Sequence, residues 1–150
     1  MSSSSHDTLE VAEVRRRVRL RIDTLKHEAA QHRAQVDAAT ASYGPWLERV
    51  AVPLFRQVTN VLRSEGLLFR LQTPAGFVRI EAERSAEDHL EIVLDTERRP
   101  VALVLRRSYT RGNHRFTDQR VVAEGIDWSH VTAAALLDAV VEDAARFLSR

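Results

Sequence analysis

Between residues 11 and 43 the apolar positions recur at alternating steps of three and four: Val11, Arg15, Val18, Ile22, Leu25, Ala29, His32, Val36, Ala39 and Tyr43. Eight of these ten are apolar or aromatic, and charged residues of both signs fill the positions around them. The spacing predicts one long helix with a coiled-coil-like seam, in which Val11, Val18, Ile22, Leu25, Ala29 and Val36 are candidates for self-association and Arg15 and His32 weaken the stripe. A competing pattern lies inside it. Residues 18–22, Val-Arg-Leu-Arg-Ile, alternate with period two and read equally as a short strand. Because the three-four spacing continues on both sides of that run, the helix is the preferred reading.

Gly44-Pro45 predicts a break and a new helix start, since proline is tolerated in a first turn where its missing N–H has no partner. The second helix is expected to end near Glu65, with Gly66 as its stop and a kink or break at Pro53, so that the two helices form a hairpin. From residue 67 the period changes to two. Five short segments separated by turn residues, near 67–73, 77–83, 89–95, 101–109 and 115–123, predict an antiparallel meander. The chain closes on a helix with Thr132 as its N-cap, Val131 and Leu136 as a hydrophobic staple, and an apolar face of Leu136, Leu137, Val140, Val141, Ala144, Phe147 and Leu148.

The fold class that follows is α+β: an N-terminal helical hairpin, a five-stranded antiparallel sheet, and a C-terminal helix packed on the sheet. In domain terms, residues 1–8 form a disordered polar start and 9–65 the helical hairpin or coiled-coil segment. Residues 66–150 are the sheet and last helix, one domain with 44–65. If residues 18–22 are instead a strand, the element order resembles the helix-grip arrangement of lipid-transfer and polyketide-cyclase-like proteins, whose curved sheet grips a C-terminal helix around a ligand cavity. The resemblance is one of element order, carried by no motif, and it assigns no residues.

Composition changes the picture little. The chain has 150 residues with no cysteine, which excludes disulfide scaffolds and Cys-ligated zinc. A Ser-rich polar start without the basic-then-apolar order of a signal peptide, and no long apolar run, lead to the expectation of a cytoplasmic protein. Among 22 basic residues Lys26 is the only lysine, a bias that codon usage in a GC-rich genome accounts for. The formal charge of +1 is a sum of unlike parts, because residues 66–95 carry three basic and six acidic residues and residues 96–125 carry seven basic and three acidic. Cross-strand ion pairing between these halves is the plain explanation, each pair contributing roughly 0.2–1 kcal/mol.

Candidate chemistry is sparse. With no cysteine, no Gly-rich phosphate loop, no Gly-x-Ser-x-Gly elbow and no His-Glu-x-x-His helix, an enzyme is not expected, and neither is a cofactor. Asp23 with His27 and Glu28 with His32 stand at metal-compatible spacing, but no third region supplies a ligand, so no metal is expected. The run Arg15-Arg16-Arg17-Val18-Arg19-Leu20-Arg21 spreads its charges around the helix circumference. A more localised cluster is the basic hairpin at 98–115, where Arg98, Arg99, Arg106, Arg107, Arg111, His114 and Arg115 are candidates for an anionic partner or nucleic acid. The leading expectation is a non-enzymatic protein interaction module that self-associates, as a homo-oligomer, or pairs with another protein through the first helix, with no membrane partner. A small-molecule binder with a pocket between the sheet and Leu136, Val140 and Phe147 is the alternative.

Overall fold

The computed structural model describes residues 9–148, so the polar start expected at 1–8 lies outside the described residues, as does the side chain of Leu148. The first helix, α1, spans Val11–Trp46 and includes residues 18–22. Those five residues are helical because the seam repeats on either side of them, and Glu13 supports the start of the helix by pairing with Arg16 at 2.7 Å and Arg17 at 2.9 Å. The strand reading and the helix-grip arrangement built on it therefore do not hold.

The hairpin expected at Gly44-Pro45 is also absent. Pro45 lies inside α1, and a π turn at Leu47–Ala51 leads straight into α2, Val52–Ser64. Trp46, Ala51 and Val52 all keep right-handed helical angles, and the Val52 N–H donates to the Leu47 carbonyl five residues back. Pro45 and Pro53 each cost at most one backbone hydrogen bond, since the helical backbone runs through both. The residue added by the π turn adjusts the helix phase so that Trp46, Leu47, Ala51, Leu54 and Phe55 are all buried. α2 then stops as anticipated: Gly66 takes φ of +83°, its N–H donates to Arg63 O, and Leu67 N–H donates to Leu62 O, a Schellman closure.

Five strands follow: β1 Phe69–Gln72, β2 Phe77–Ala82, β3 Ser85–Asp95, β4 Ala102–Arg111 and β5 His114–Glu124. They pair antiparallel in chain order, leaving β1 and β5 as the edges. The turn expected between the segments near 77–83 and 89–95 is shorter than foreseen, since β3 already begins at Ser85. The last helix, α3, is Ala133–Leu148; Thr132 Oγ1 accepts the Ala135 N–H at 3.2 Å, and Val131 and Leu136 are both buried.

The chain divides into two compact units between Ala34 and Gln35. In the second unit one face of the sheet carries Val78, Ile80, Leu90, Ile92, Leu103 and Leu105, which join Phe55, Leu136, Val140 and Trp128 in a single core. Three buried or half-buried polar groups tie its layers together. Trp128 Nε1 donates to Ala39 O at 3.1 Å, Trp46 Nε1 to Val131 O at 3.0 Å, and Tyr43 Oη to Gly76 O at 2.8 Å. Among the described residues of the first unit, α1 runs from Val11 to Ala34.

Candidate functional site

The basic residues singled out in the hairpin are adjacent in sequence but not in space. β4 is ten residues long, so its ends stand roughly 30 Å apart. Arg98 and Arg99 lie before its first residue, where Arg98 Nε pairs with Asp95 at 3.2 Å. Arg111, His114 and Arg115 lie at the other end, around a turn in which Gly112 takes φ of +59°. Between them, successive strand residues point to opposite faces. Arg107 shares the core-side face with Leu105 and Tyr109; its side chain is 1% exposed, its guanidinium stands 5.0 Å from the Tyr109 ring, and it pairs with Asp118 of β5. Arg106 faces the other way, 3.9 Å from Asp95 and 3.4 Å from Gln119. Arg111 stacks over Tyr109 at 5.9 Å, and Arg115 donates to Ser108 Oγ at 3.0 Å. The structure thus sets Arg111 opposite His114 at the turn, brings Arg106, Arg107 and Arg115 to the lining of one depression, and leaves Arg98 and Arg99 before the first residue of β4, Arg98 sharing Asp95 with Arg106.

Register builds a polar depression of about 570 Å³, in which Arg106, Arg107 and Arg115 of the basic hairpin meet Arg79, His89 and Glu91, three residues that the hairpin reading did not include. Arg79, Glu91, Arg106 and Gln119 form one cross-strand row, and Glu81, His89, Ser108 and Thr117 the next. Arg79 donates twice to Glu91 Oε2, at 2.9 and 2.6 Å, and Arg70 donates to Glu81 at 2.7 Å. Glu81, His89 and Glu91 are buried by these neighbours. The expected pairing between acidic and basic halves is realised mainly inside each half, with Arg98 and Arg106 to Asp95 crossing between them. Period-two alternation could have placed each of these residues on one face, but only the register Arg79↔Glu91 and Glu91↔Arg106 makes them neighbours. Beneath this end of the sheet, burial pushes the Tyr43 phenol well above its ordinary range, with the Glu91 carboxylate adding to the effect.

Room for a ligand between sheet and α3 is slight: the space among Leu62, Phe69, Ile80, Leu90, Ala144 and Phe147 is about 10 Å³, around the minimum for one water. A larger apolar volume, about 690 Å³, lies outside the core between α2 and α3, lined by Leu54, Val58, Val61, Leu62, Leu137 and Val141. Among the described residues no three His, Asp or Glu side chains converge as a metal would require, and no helix is long and apolar enough to cross a membrane.

The seam on α1 is where apolar surface is most openly displayed. Val11 is 74% exposed, Val14 44%, Val18 50%, Ile22 43% and Leu25 47%. At 3.6 residues per turn these five occupy one stripe, to which Ala29 adds a half-buried methyl. Val36 belongs to the same seam in sequence but packs against the core of the second unit. The seam therefore has two parts: an exposed one before Ala34 and a buried one from Val36 through Ala39 and Tyr43. Val14 was missed because it stands beside the strict three-four ladder instead of on it. No family model, curated protein or solved structure matches this chain.

Proposed function

We propose that the protein is a non-enzymatic interaction module whose α1 docks on a second amphipathic helix of acidic character. The observation that carries this reading is the exposed stripe of Val11, Val14, Val18, Ile22 and Leu25. Full burial of one such side chain stabilises a contact by about 1.5–3 kcal/mol, so a helix laid along all five gains enough to offset the ordering of its own side chains. Charge selects the partner. Along one margin of the stripe stand Arg15, Arg19, Lys26 and Arg33, all basic. An antiparallel second copy sets that margin against itself, and a parallel copy sets Arg21 against Lys26, with Glu28 facing Arg33 as the one favourable pair. A partner helix with Glu or Asp at the flanking positions meets every one of these cations.

The test uses the full chain and two synthetic amphipathic helices of identical apolar seam, one flanked by Glu and one by Lys. Fluorescence anisotropy is expected to show binding to the Glu peptide alone, weakening as salt rises. The triple variant Val18→Glu, Ile22→Glu, Leu25→Glu is expected to abolish it with unchanged circular dichroism. Absence of binding to the Glu peptide overturns the proposal. If instead the triple variant halves the mass seen in light scattering, α1 pairs with a second copy and the acidic partner is wrong.

A further inference from the structure

Four arginines line the polar depression on the sheet, against two carboxylates. Arg79 is paired with Glu91 and Arg107 with Asp118, so both carboxylates are taken. Arg106 and Arg115 are left with partners that do not cancel their charge. Arg115 Nε donates to the neutral Ser108 hydroxyl at 3.0 Å. Arg106 Nε donates to the Gln119 amide oxygen at 3.4 Å, and its carboxylate neighbour Asp95 stands 3.9 Å away, already held by Arg98 at 3.2 Å.

The floor between these two cations is polar and buried. His89, Ser108 and Thr117 form one cross-strand row, with His89 8% and Ser108 2% exposed. The row that carries Arg106 lies two residues, roughly 7 Å, to one side, and Arg115 comes from the row on the other, opposite Thr110. Ser108 Oγ accepts from Arg115 and keeps its own O–H to donate, and Thr117 supplies a second hydroxyl. His89 Nδ1 donates to Ala86 O at 3.1 Å, which leaves Nε2 as the ring nitrogen for a ligand. Arg79 places both of its bonds on Glu91 Oε2, so Oε1 remains as an acceptor.

Two guanidiniums without a carboxylate of their own, set about a row of hydroxyls, match a doubly charged phosphate monoester, because guanidinium forks and hydroxyls both hold phosphate oxygens. The volume, about 570 Å³, is that of a small-molecule site and exceeds what a phosphate group alone fills. Glu91 Oε1 and His89 Nε2 beside it suit hydroxyl groups on the organic part. We infer that the depression binds a small phosphorylated sugar or polyol, its phosphate between Arg106 and Arg115 over Ser108 and its hydroxyls toward Glu91. The site is built from β2 to β5 and needs nothing from α1.

Calorimetric titration of the full chain with ribose 5-phosphate, inorganic phosphate and ribose tests the inference. Ribose 5-phosphate is expected to bind, inorganic phosphate about tenfold more weakly, and ribose not measurably. Arg106→Gln and Arg115→Gln are each expected to raise the ribose 5-phosphate dissociation constant roughly tenfold with unchanged circular dichroism. Arg111→Gln removes a cation of the same hairpin that does not line the depression, and is expected to change it by less than about twofold. Amide chemical shifts are expected to move at His89, Ser108 and Thr117. The α1 triple variant should bind the ester as the wild type does, which separates this inference from the docking proposed above. Absence of ribose 5-phosphate binding overturns it. Equal weakening by all three arginine variants does so too, since the attraction then belongs to the whole hairpin, as does inorganic phosphate bound as tightly as the ester.

Discussion

Arg107 shows how burial alters the value of a charge. Its guanidinium is almost wholly out of water, held by Asp118, which is half exposed, and by the Tyr109 ring; Nε and Nη1 have no hydrogen-bond acceptor. Removing the carboxylate leaves a buried cation without its counter-ion, whereas removing the cation leaves an acid that water can solvate. We therefore expect Asp118→Ala to destabilise the fold by about 3 kcal/mol and Arg107→Met to cost much less, as read from urea midpoints of the two variants. Tyr43 makes a second prediction at this scale. Its folded pKa stands above the ordinary 10.0, so the unfolded chain loses the phenolic proton first. The stability linked to this proton is complete below pH 10.0 and falls as pH rises beyond it. Denaturant titrations on either side of that pH should show the decline in the wild type and its reduction in Tyr43→Phe. That variant also loses the hydrogen bond to Gly76, at a cost of about 1 kcal/mol at neutral pH.

Two glycines separate the helical elements into what local chemistry settles and what packing settles. Gly66 closes α2 with a positive φ, a conformation that a Cβ disfavours, so Gly66→Ala is expected to destabilise by about 1 kcal/mol. Gly44 is a helix residue, and apart from its chain neighbours and the adjoining helix backbone nothing lies within 4 Å of where a Cβ would stand. Gly44→Ala should be close to neutral, because the roughly 0.5–1 kcal/mol of helix propensity it gains is opposed by the clash of a helical Cβ with the Cδ of Pro45, and so should fall short of the loss at Gly66; thermal melts of the two variants decide it. The sequence signals at these sites look alike, a glycine beside a helix end, and only Gly66 ends one. What carries the chain through Pro45 is the burial of Tyr43 just before, and of Trp46, Leu47, Ala51 and Phe55 just after. Packing of that many large side chains outweighs one lost hydrogen bond.

For the whole molecule, the division between Ala34 and Gln35 separates two ways of being stable. Helical residues up to Ala34 are mostly exposed and rest on local propensity and pairs such as Glu13 with Arg16, whereas Val101 to Leu105 are almost completely buried within the sheet. A helical segment that packs on little else lacks the tertiary contacts from which most helices draw their stability. Hydrogen exchange on the full chain should find fast amides across 11–34 and the slowest ones in β3 and β4, with the α1 amides slowing when the acidic peptide is added. Uniform protection along the chain would contradict this.

The sequence alone determined the elements whose signals are local. Three-four spacing specified α1, period-two runs specified all five strands and hence the α+β class, and Thr132 and Gly66 marked helix ends through backbone hydrogen bonds made within a few residues. Tertiary structure decided what depends on partners distant in the chain. Whether Pro45 breaks a helix depended on the core that Trp46 and Phe55 enter, and whether seven basic residues form one site depended on strand length and on which face each one takes. Arg106 and Arg107 are neighbours in sequence, yet Arg106 stands half open beside Asp95 and Gln119 while Arg107 is sealed beside Tyr109. Strand alternation separates them, and the register with β3 and β5 gives each its partner.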